Sequence, residues 1–301
     1  MTELDDLRAA TRDLLTDNAP VRSNLEDNPG IWKRLAIEMG LVALPVEDVP
    51  LSWVMTVIEE TGRVLLRAPY LPTVVAAAAL KAAGDQQHLA GLGDGSLTAA
   101  LALHGDLDQV PHAVNADLLL LAKGDELWVV EELSAEPLET LDLTRPAARV
   151  QVSAGRPVGT AWHARDLEHV AVAAECVGAS QRVLELVVEH LLVRTQFGRP
   201  LGSFQALRHK VADLTVLVEA ARSTTWYAAS EPEDFTVAAP LARALASEAF
   251  VTVTGEAIQL FGGIGFTWEH DAHLYFKRAW TTALAADSKA LKRLAFERSK
   301  A

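Results

Sequence analysis

Two short segments concentrate side chains that could bind a ligand. The first runs from Arg194 to Gln205 and holds two Arg, two Gln and two Phe around one turn. A turn between helices explains its glycines and proline, but not this density of cationic, amide and aromatic groups. The second runs from Gln259 to His270 and contains Gly-Gly after an apolar stretch. A double glycine can end a helix, and it also lets the backbone come close to another molecule.

The composition excludes several other kinds of site. The 301-residue chain has a formal net charge of −13, which repels phosphate backbones, so we expect no nucleic-acid partner. Its single cysteine, Cys176, leaves no internal disulfide or cysteine zinc cage, and we expect no metal. The first residues are acidic, and no unbroken apolar run reaches the roughly 18 residues of a membrane span. We therefore expect a cytoplasmic protein without membrane attachment.

Helical periodicity dominates both ends of the chain, and strand-like runs occupy its middle. Short apolar or alternating runs within residues 117–123, 126–130 and 148–153 predict a small sheet. Beyond residue 161, an apolar seam at spacing seven predicts a long helix of an antiparallel bundle; its members are Val170, Val177, Leu184 and Leu191.

These patterns predict a mainly α fold in three parts. The parts are an N-terminal helical domain at 1–101, a small central β-domain at 102–158 and a C-terminal helical bundle at 159–301. This order argues against a doubly wound nucleotide fold, and the sequence has no phosphate loop or nucleophile elbow. The glycine-rich stretch 91–96 follows a predicted helix, and we interpret it as a loop.

Together, the two ligand-binding segments resemble the flavin-binding signatures of the acyl-CoA dehydrogenase family. Glu60-Thr-Gly-Arg63 is similar to an N-terminal helix of that family, and the three-part order matches its fold. The resemblance implies FAD sites between subunits and α,β-desaturation of an acyl-CoA. It implies cofactor contacts at Arg194, Gln196, Phe197, Gln205, Gln259, Gly262 and Gly263. Arg194 and Gln205 would lie at the pyrophosphate, whereas the glycines would cradle the adenosine end.

The sheet region departs from the family pattern. It is short, and it lacks the hydroxyl-bearing segment that covers the flavin ring in family members; Glu126-Leu-Trp-Val-Val comes nearest. The chain thus resembles the small subunits of actinobacterial heteromeric acyl-CoA dehydrogenases, some of which act on steroid-derived CoA thioesters. This implies an α2β2 complex with a longer subunit, and an electron-accepting flavoprotein. A homo-oligomer that binds FAD by itself stays an alternative.

The resemblance offers two positions for the carboxylate that removes the α-proton. Glu168 lies near the start of the first long bundle helix, and the adjacent His169 would contact substrate. Asp287 is the alternative, although an aspartate followed by Ser288 replaces the expected Glu-Gly. Glu168 is also an ordinary residue for a helix N-terminus. The partner could supply the base, and the chain would then be a non-catalytic assembly partner that completes the FAD site of a larger subunit.

Overall fold

The computed structural model describes residues 2–300, which form ten α-helices and seven strands. The N-terminal part holds five helices: α1 (Glu3–Asn18), α2 (Pro29–Lys33), α3 (Leu51–Arg63), α4 (Tyr70–Ala82) and α5 (Leu89–Asp94). Five strands follow: β1 (Ala99–Ala102), β2 (Val110–Pro111), β3 (Leu118–Lys123), β4 (Glu126–Leu138) and β5 (Ala147–Thr160). The C-terminal part contains a two-stranded turn between long helices: α6 (Ala161–Val193), β6 (Thr195–Gln196), β7 (Arg199–Pro200), α7 (Gln205–Ala229), α8 (Phe235–Phe261), α9 (Ala272–Ala285) and α10 (Ser288–Arg298).

The predicted mainly α fold with a small sheet is confirmed. The five strands pair in the order β1-β3-β4-β5-β2, with β1 parallel to β3 and the other neighbours antiparallel. Leu118 and Leu120 face the main core, whereas Leu119 and Leu121 face a second, smaller cluster. Both faces of β3 are covered, which explains its continuous apolar run.

The predicted seam of α6 is buried, with Val170 fully enclosed and Leu184 only 5% exposed. Helix α6 crosses α3 at two glycines. A Cβ atom at Gly178 would overlap the carbonyl of Glu59, and one at Gly62 would overlap the carbonyl of Glu175. The crossing therefore requires glycine on both helices, with Gly178 against the backbone of Glu59 and Gly62 against that of Glu175.

Helix α8 is the most apolar element of the bundle. Residues Phe235–Phe266 are long and apolar enough to cross a membrane by length and composition, contrary to our expectation that no such run exists. Its buried residues, such as Phe250 and Val253, pack into the main core. Helix α8 contacts α6, α7, α9 and α10, so a buried bundle helix accounts for its composition.

Two local predictions were wrong or too short. The loop expected at 91–96 is helical as far as Asp94, and the chain turns at Gly95 with a φ of 75°. Strands β4 and β5 extend well beyond the predicted runs, and their outer halves are largely exposed. Each added stretch pairs with the predicted run of the other strand, and its exposed polar residues have no apolar alternation to reveal it.

Candidate active site

The two ligand-binding segments lie at the same end of the helical bundle. Helix α6 ends at Val193 and helix α8 ends at Phe261. The ring of Phe261 lies 5.2 Å from that of His190 in an edge contact, and 4.1 Å from that of His270. These aromatic contacts join the last turn of α6 to the segment 259–270. The structure thus brings together residues that are more than sixty positions apart in the sequence.

Strands β6 and β7 form a tight turn that displays an aromatic ring. Phe197 and Gly198 both have positive φ, of 52° and 78°, as the two central residues of such a hairpin require. The side chain of Phe197 is 90% exposed. Below it, the guanidinium of Arg199 lies 4.0 Å from the centroid of the Phe204 ring. An exposed phenylalanine ring on a turn with positive φ adds little to the stability of this chain by itself. Such a ring is typical of a residue that packs against another molecule.

The polar members of the first segment are exposed around this turn. Arg194 ends α6 with an extended backbone, and its carbonyl accepts a hydrogen bond from the backbone of Leu201 at 2.8 Å. Arg194, Gln196 and Gln205 are all exposed to solvent. Burial lowers the pKa of the nearby His190, and the charges of His270 and Arg194 lower it further. The end of the bundle therefore carries cationic and amide groups that can reach an anionic ligand.

The second segment leaves open space beside its glycines. Gly262 adopts φ 66° and ψ −143°, a conformation that favours glycine, directly after the last turn of α8. A Cβ atom at Gly262 or Gly263 would meet no atom of residues 2–300 within 4 Å. Gln259 is exposed in the same turn. The glycine backbone, the amide of Gln259 and the guanidinium of Arg194 thus lie at one end of the bundle. Together they fit the phosphate and adenosine half of an FAD.

The candidate base lies far from this cluster. Glu168 and Arg194 are 26 positions apart along one continuous helix, or about 39 Å at 1.5 Å per residue. This is longer than an extended dinucleotide, so a ligand on Arg194 does not reach Glu168 of the same chain. The predicted site residues therefore lie in three places: seven at one end of the bundle, Glu168 with His169 near the start of α6, and Asp287 just before α10.

Glu168 is half-buried, with a side chain that is 18% exposed. Its Oε2 atom lies 3.2 Å from Nε2 of His104, yet no group of residues 2–300 makes an aligned hydrogen bond to it. Burial raises the pKa of Glu168, but contact with His104 and the charge of Arg243 outweigh burial and leave the pKa below its usual value. Glu168 is therefore ionised at neutral pH and able to accept a proton.

His169 is buried beside it and stacks on His104, with ring centroids 5.8 Å apart. Burial lowers the pKa of His169 to about 3, with the charge of Arg243 adding to the effect, so the imidazole is neutral. Asp287, the alternative base, is exposed at the start of α10. Its carboxylate accepts a hydrogen bond from the backbone of Lys289 at 3.1 Å, which is the geometry of a helix cap.

A buried ionic cluster, which sequence reasoning missed, fills the space beyond Glu168. Arg278 donates to Asp142, Glu175 and Thr144, and is 1% exposed. Arg145 donates to Glu175 and, at 2.9 Å, to Thr282. This cluster fastens the loop between β4 and β5 onto helices α6 and α9. No local pattern signals these contacts because Asp142 and Arg278 are 136 positions apart.

The pocket beside Glu168 is small. It has a volume of about 90 Å³ and is lined by Leu71, Pro72, Leu101, Arg145, Glu168, Glu175 and Arg243, among others; we call it the Glu168 pocket. Sites for drug-sized ligands usually measure about 300–1,000 Å³, so the acyl and pantetheine parts of an acyl-CoA do not fit in this conformation.

A larger cleft of about 900 Å³ separates the N-terminal helices from the β4–β5 loop. His112 lines both cavities, with its backbone in the left-handed region at φ 59°. Arg67 bridges the cleft by binding Asp27 at 2.7 Å and the carbonyl of Leu143. None of the predicted site residues lines this cleft.

Comparison with known proteins places these features in one family. Residues 160–292 match the acyl-CoA dehydrogenase C-terminal domain. The chain is 40% identical over 293 residues to acyl-CoA dehydrogenase IpdE2 of Mycobacterium tuberculosis, with 93% of this chain and 91% of the relative covered. A variant of the Tcur3481-Tcur3483 steroid ACAD has a TM-score of 0.88 and 27% identity over 99% of both chains. The ChsE4-ChsE5 complex of Mycobacterium tuberculosis contains a chain of the same fold, with a TM-score of 0.90 and 23% identity over 100% of this chain and 98% of that one. The protein therefore belongs to the acyl-CoA dehydrogenase family.

Proposed function

We propose that this chain is a subunit of an FAD-dependent acyl-CoA dehydrogenase in which the FAD site is shared between chains. The complex would introduce an α,β double bond into an acyl-CoA thioester. The description of the Tcur3481-Tcur3483 relative as a steroid ACAD supports a bulky, steroid-derived acyl group. The ChsE4-ChsE5 relative is a complex of two different chains, which supports a longer partner subunit.

One observation carries this proposal. The seven predicted cofactor contacts are exposed at one end of the bundle, about 39 Å along α6 from the chain's own candidate base. A cofactor bound by these residues cannot reach the candidate base of the same chain, but it is well placed to reach the active site of a neighbouring chain. The ring side of the cofactor would then be held by that neighbour.

The residues of this chain would hold the phosphate and adenosine parts of the FAD. The fork of Arg194 would bind diphosphate oxygens, and Gln196 and Gln205 would donate or accept hydrogen bonds beside it. Gly262 and Gly263 would let the backbone approach the adenosine, while Phe197 would pack against the cofactor. When bound, FAD supplies the two-electron acceptor for the β-hydrogen of the substrate. An electron-accepting flavoprotein would then reoxidise the complex.

Glu168 is our candidate for the base on this chain. Its ionised carboxylate would take the α-proton, and the neutral His169 would lie beside the substrate. For this to happen, the Glu168 pocket would have to widen, because about 90 Å³ does not admit an acyl-CoA. Asp287 is a weaker candidate because it caps α10.

The narrow pocket also favours a second candidate function. In that case this chain is a non-catalytic assembly partner that completes the FAD sites of a longer, catalytic subunit. Arg145 and Arg278 would keep the chain's own pocket closed by fastening the β4–β5 loop to α6 and α9. The two candidates differ in whether Glu168 takes part in turnover.

Two substitutions in the assembled complex test these proposals. Arg194→Gln should lower bound flavin, whereas Arg293→Gln, at an exposed arginine of α10, should leave it unchanged. Equal flavin content in both variants would contradict the shared site. Glu168→Gln should abolish turnover at unchanged flavin content if Glu168 is the base. Unchanged turnover would instead favour the assembly partner.

A further inference from the structure

Arg243 on helix α8 is a buried cation that makes no ion pair with any carboxylate of residues 2–300. It is 5% exposed, and its Nε atom has no hydrogen-bond partner among residues 2–300. Its one hydrogen bond runs to the carbonyl of Thr282 at 3.5 Å, the limit for such a contact. The nearby carboxylates are engaged elsewhere, since Glu168 contacts His104 and Glu175 binds Arg145. The guanidinium thus presents free donors to the Glu168 pocket, which it lines.

A buried guanidinium without a directly paired carboxylate is energetically unfavourable, because it has lost its hydration and the charges of Glu168 and Glu175 only partly offset that loss. Burial lowers the pKa of Arg243 below its ordinary value for this reason. Other buried polar atoms on the same two helices also lack partners among the described residues: Glu168 Oε2, His169 Nδ1 and Ser247 Oγ. Ser247 lies one helical turn beyond Arg243, on the same face of α8. Arg243 and Glu168 line the Glu168 pocket, whereas His169 and Ser247 do not. Unsatisfied polar groups on the wall of one pocket indicate a missing ligand or ordered water.

We infer that the Glu168 pocket is a binding site for a short-chain carboxylate, with the anionic head on Arg243 and the alkyl part on the apolar wall. Leu71, Pro72 and Leu101 supply that wall. A volume of about 90 Å³ is about three times the roughly 30 Å³ that a water molecule takes up, which suits a carboxylate with two or three carbons. A guanidinium fork binds a carboxylate with two parallel hydrogen bonds.

The like charge of Glu168 does not block this site. Nε2 of His104 lies 3.2 Å from the Glu168 carboxylate, and Arg145 pairs with Glu175, the other carboxylate that lines the pocket. The proposed site needs no flavin, no partner chain and no turnover. A failure of propionate to bind would therefore not contradict the proposed dehydrogenase function, and a failure of that function would not contradict this site.

The test is calorimetric titration of the full chain with sodium propionate at constant ionic strength. We expect about one propionate per chain for the wild type, and no binding of the uncharged isostere propionamide. Arg243→Met should weaken propionate binding about 10- to 100-fold, the loss expected for charge-assisted hydrogen bonds worth roughly 1.5–3 kcal/mol. Arg182→Met should bind like the wild type, because Arg182 lies outside the pocket and pairs with Glu185 and Glu189.

A thermal melt of the same proteins keeps the test independent of folding defects. Without propionate, Arg243→Met should melt at or above the wild-type temperature, because the unpaired buried charge is gone. If Arg243→Met does not fold, Arg243→Lys removes the fork while keeping the charge, and should bind propionate more weakly. Absence of propionate binding to folded wild type, equal binding of propionamide, or equal binding to the Arg243 variant would each overturn the inference.

Discussion

Replacing Arg278 with methionine should strongly destabilise the protein. Arg278 is 1% exposed and donates to the carboxylates of Asp142 and Glu175 and to the hydroxyl of Thr144. Methionine fills a similar volume but leaves the buried carboxylate of Asp142 without its ion-pair partner, and that of Glu175 with Arg145 alone. Breaking a buried ion pair by removing one partner costs about 3–5 kcal/mol of unfolding free energy. We expect a loss in this range at pH 7.

The size of this loss should depend on pH in a defined direction. Burial raises the pKa of Asp142, but the charges of Arg278 and Arg145 and a hydrogen bond from Thr144 outweigh burial and lower it overall. A carboxyl with a lowered folded pKa stabilises the protein above its unfolded pKa of about 4, and this contribution is lost as the pH falls through the folded value. In Arg278→Met, Asp142 becomes neutral when it is protonated at low pH, so the missing guanidinium no longer leaves a buried charge without a partner. The difference from wild type should therefore be largest at neutral pH and shrink toward pH 4.

Urea unfolding followed by circular dichroism at pH 7 and pH 4.5 measures both effects. Arg149→Met is the matched control, because Arg149 makes only exposed pairs with Asp108 and Glu136 and should change stability by less than about 1 kcal/mol. A loss below about 1 kcal/mol for Arg278→Met at pH 7, as for an exposed pair, would refute the reasoning. So would a loss that grows as the pH falls.

Two further predictions concern glycine packing and the exposed turn. Gly178→Ala should lower the unfolding free energy by about 1–3 kcal/mol or more, because the new Cβ overlaps the Glu59 carbonyl at the α3–α6 crossing. In the same urea titration, Gly255→Ala should be neutral or stabilising, because its Cβ would lie 3.9 Å from the nearest atom. Similar losses for both variants would contradict the close crossing. Phe197→Ser should leave the melting temperature of this chain within a degree or two, since the ring is 90% exposed, but should lower the flavin content of the assembled complex. A large loss of stability in the isolated chain would instead make Phe197 a structural residue.

The helical parts of the fold could be predicted because their signal is local. The seam from Val170 to Leu191 follows from residues within a few helical turns of one another. Strand β3 and the apolar runs of β4 and β5 were predictable for the same reason, whereas β1 and β2 lie outside the predicted runs. The outer halves of β4 and β5 were not predictable, because exposed polar strands carry no apolar alternation.

The site was predictable only where it is continuous in the sequence. The segments after α6 and α8 each carry their own residue pattern, and they could be found before their proximity was known. Arg243 carries no such pattern. Arg243 is notable only in the folded structure, where the nearby carboxylates of Glu168 and Glu175 contact other residues instead. The same holds for Arg278, whose partner Asp142 belongs to the loop between β4 and β5.

The most direct test of the shared FAD site is the flavin absorbance of this chain, purified alone with FAD in excess and again after assembly with a longer subunit. We predict a folded chain without stoichiometric flavin when alone, and bound flavin in the complex. About one FAD per chain in the isolated protein would contradict the proposal. It would mean that the short sheet completes the site within a homo-oligomer.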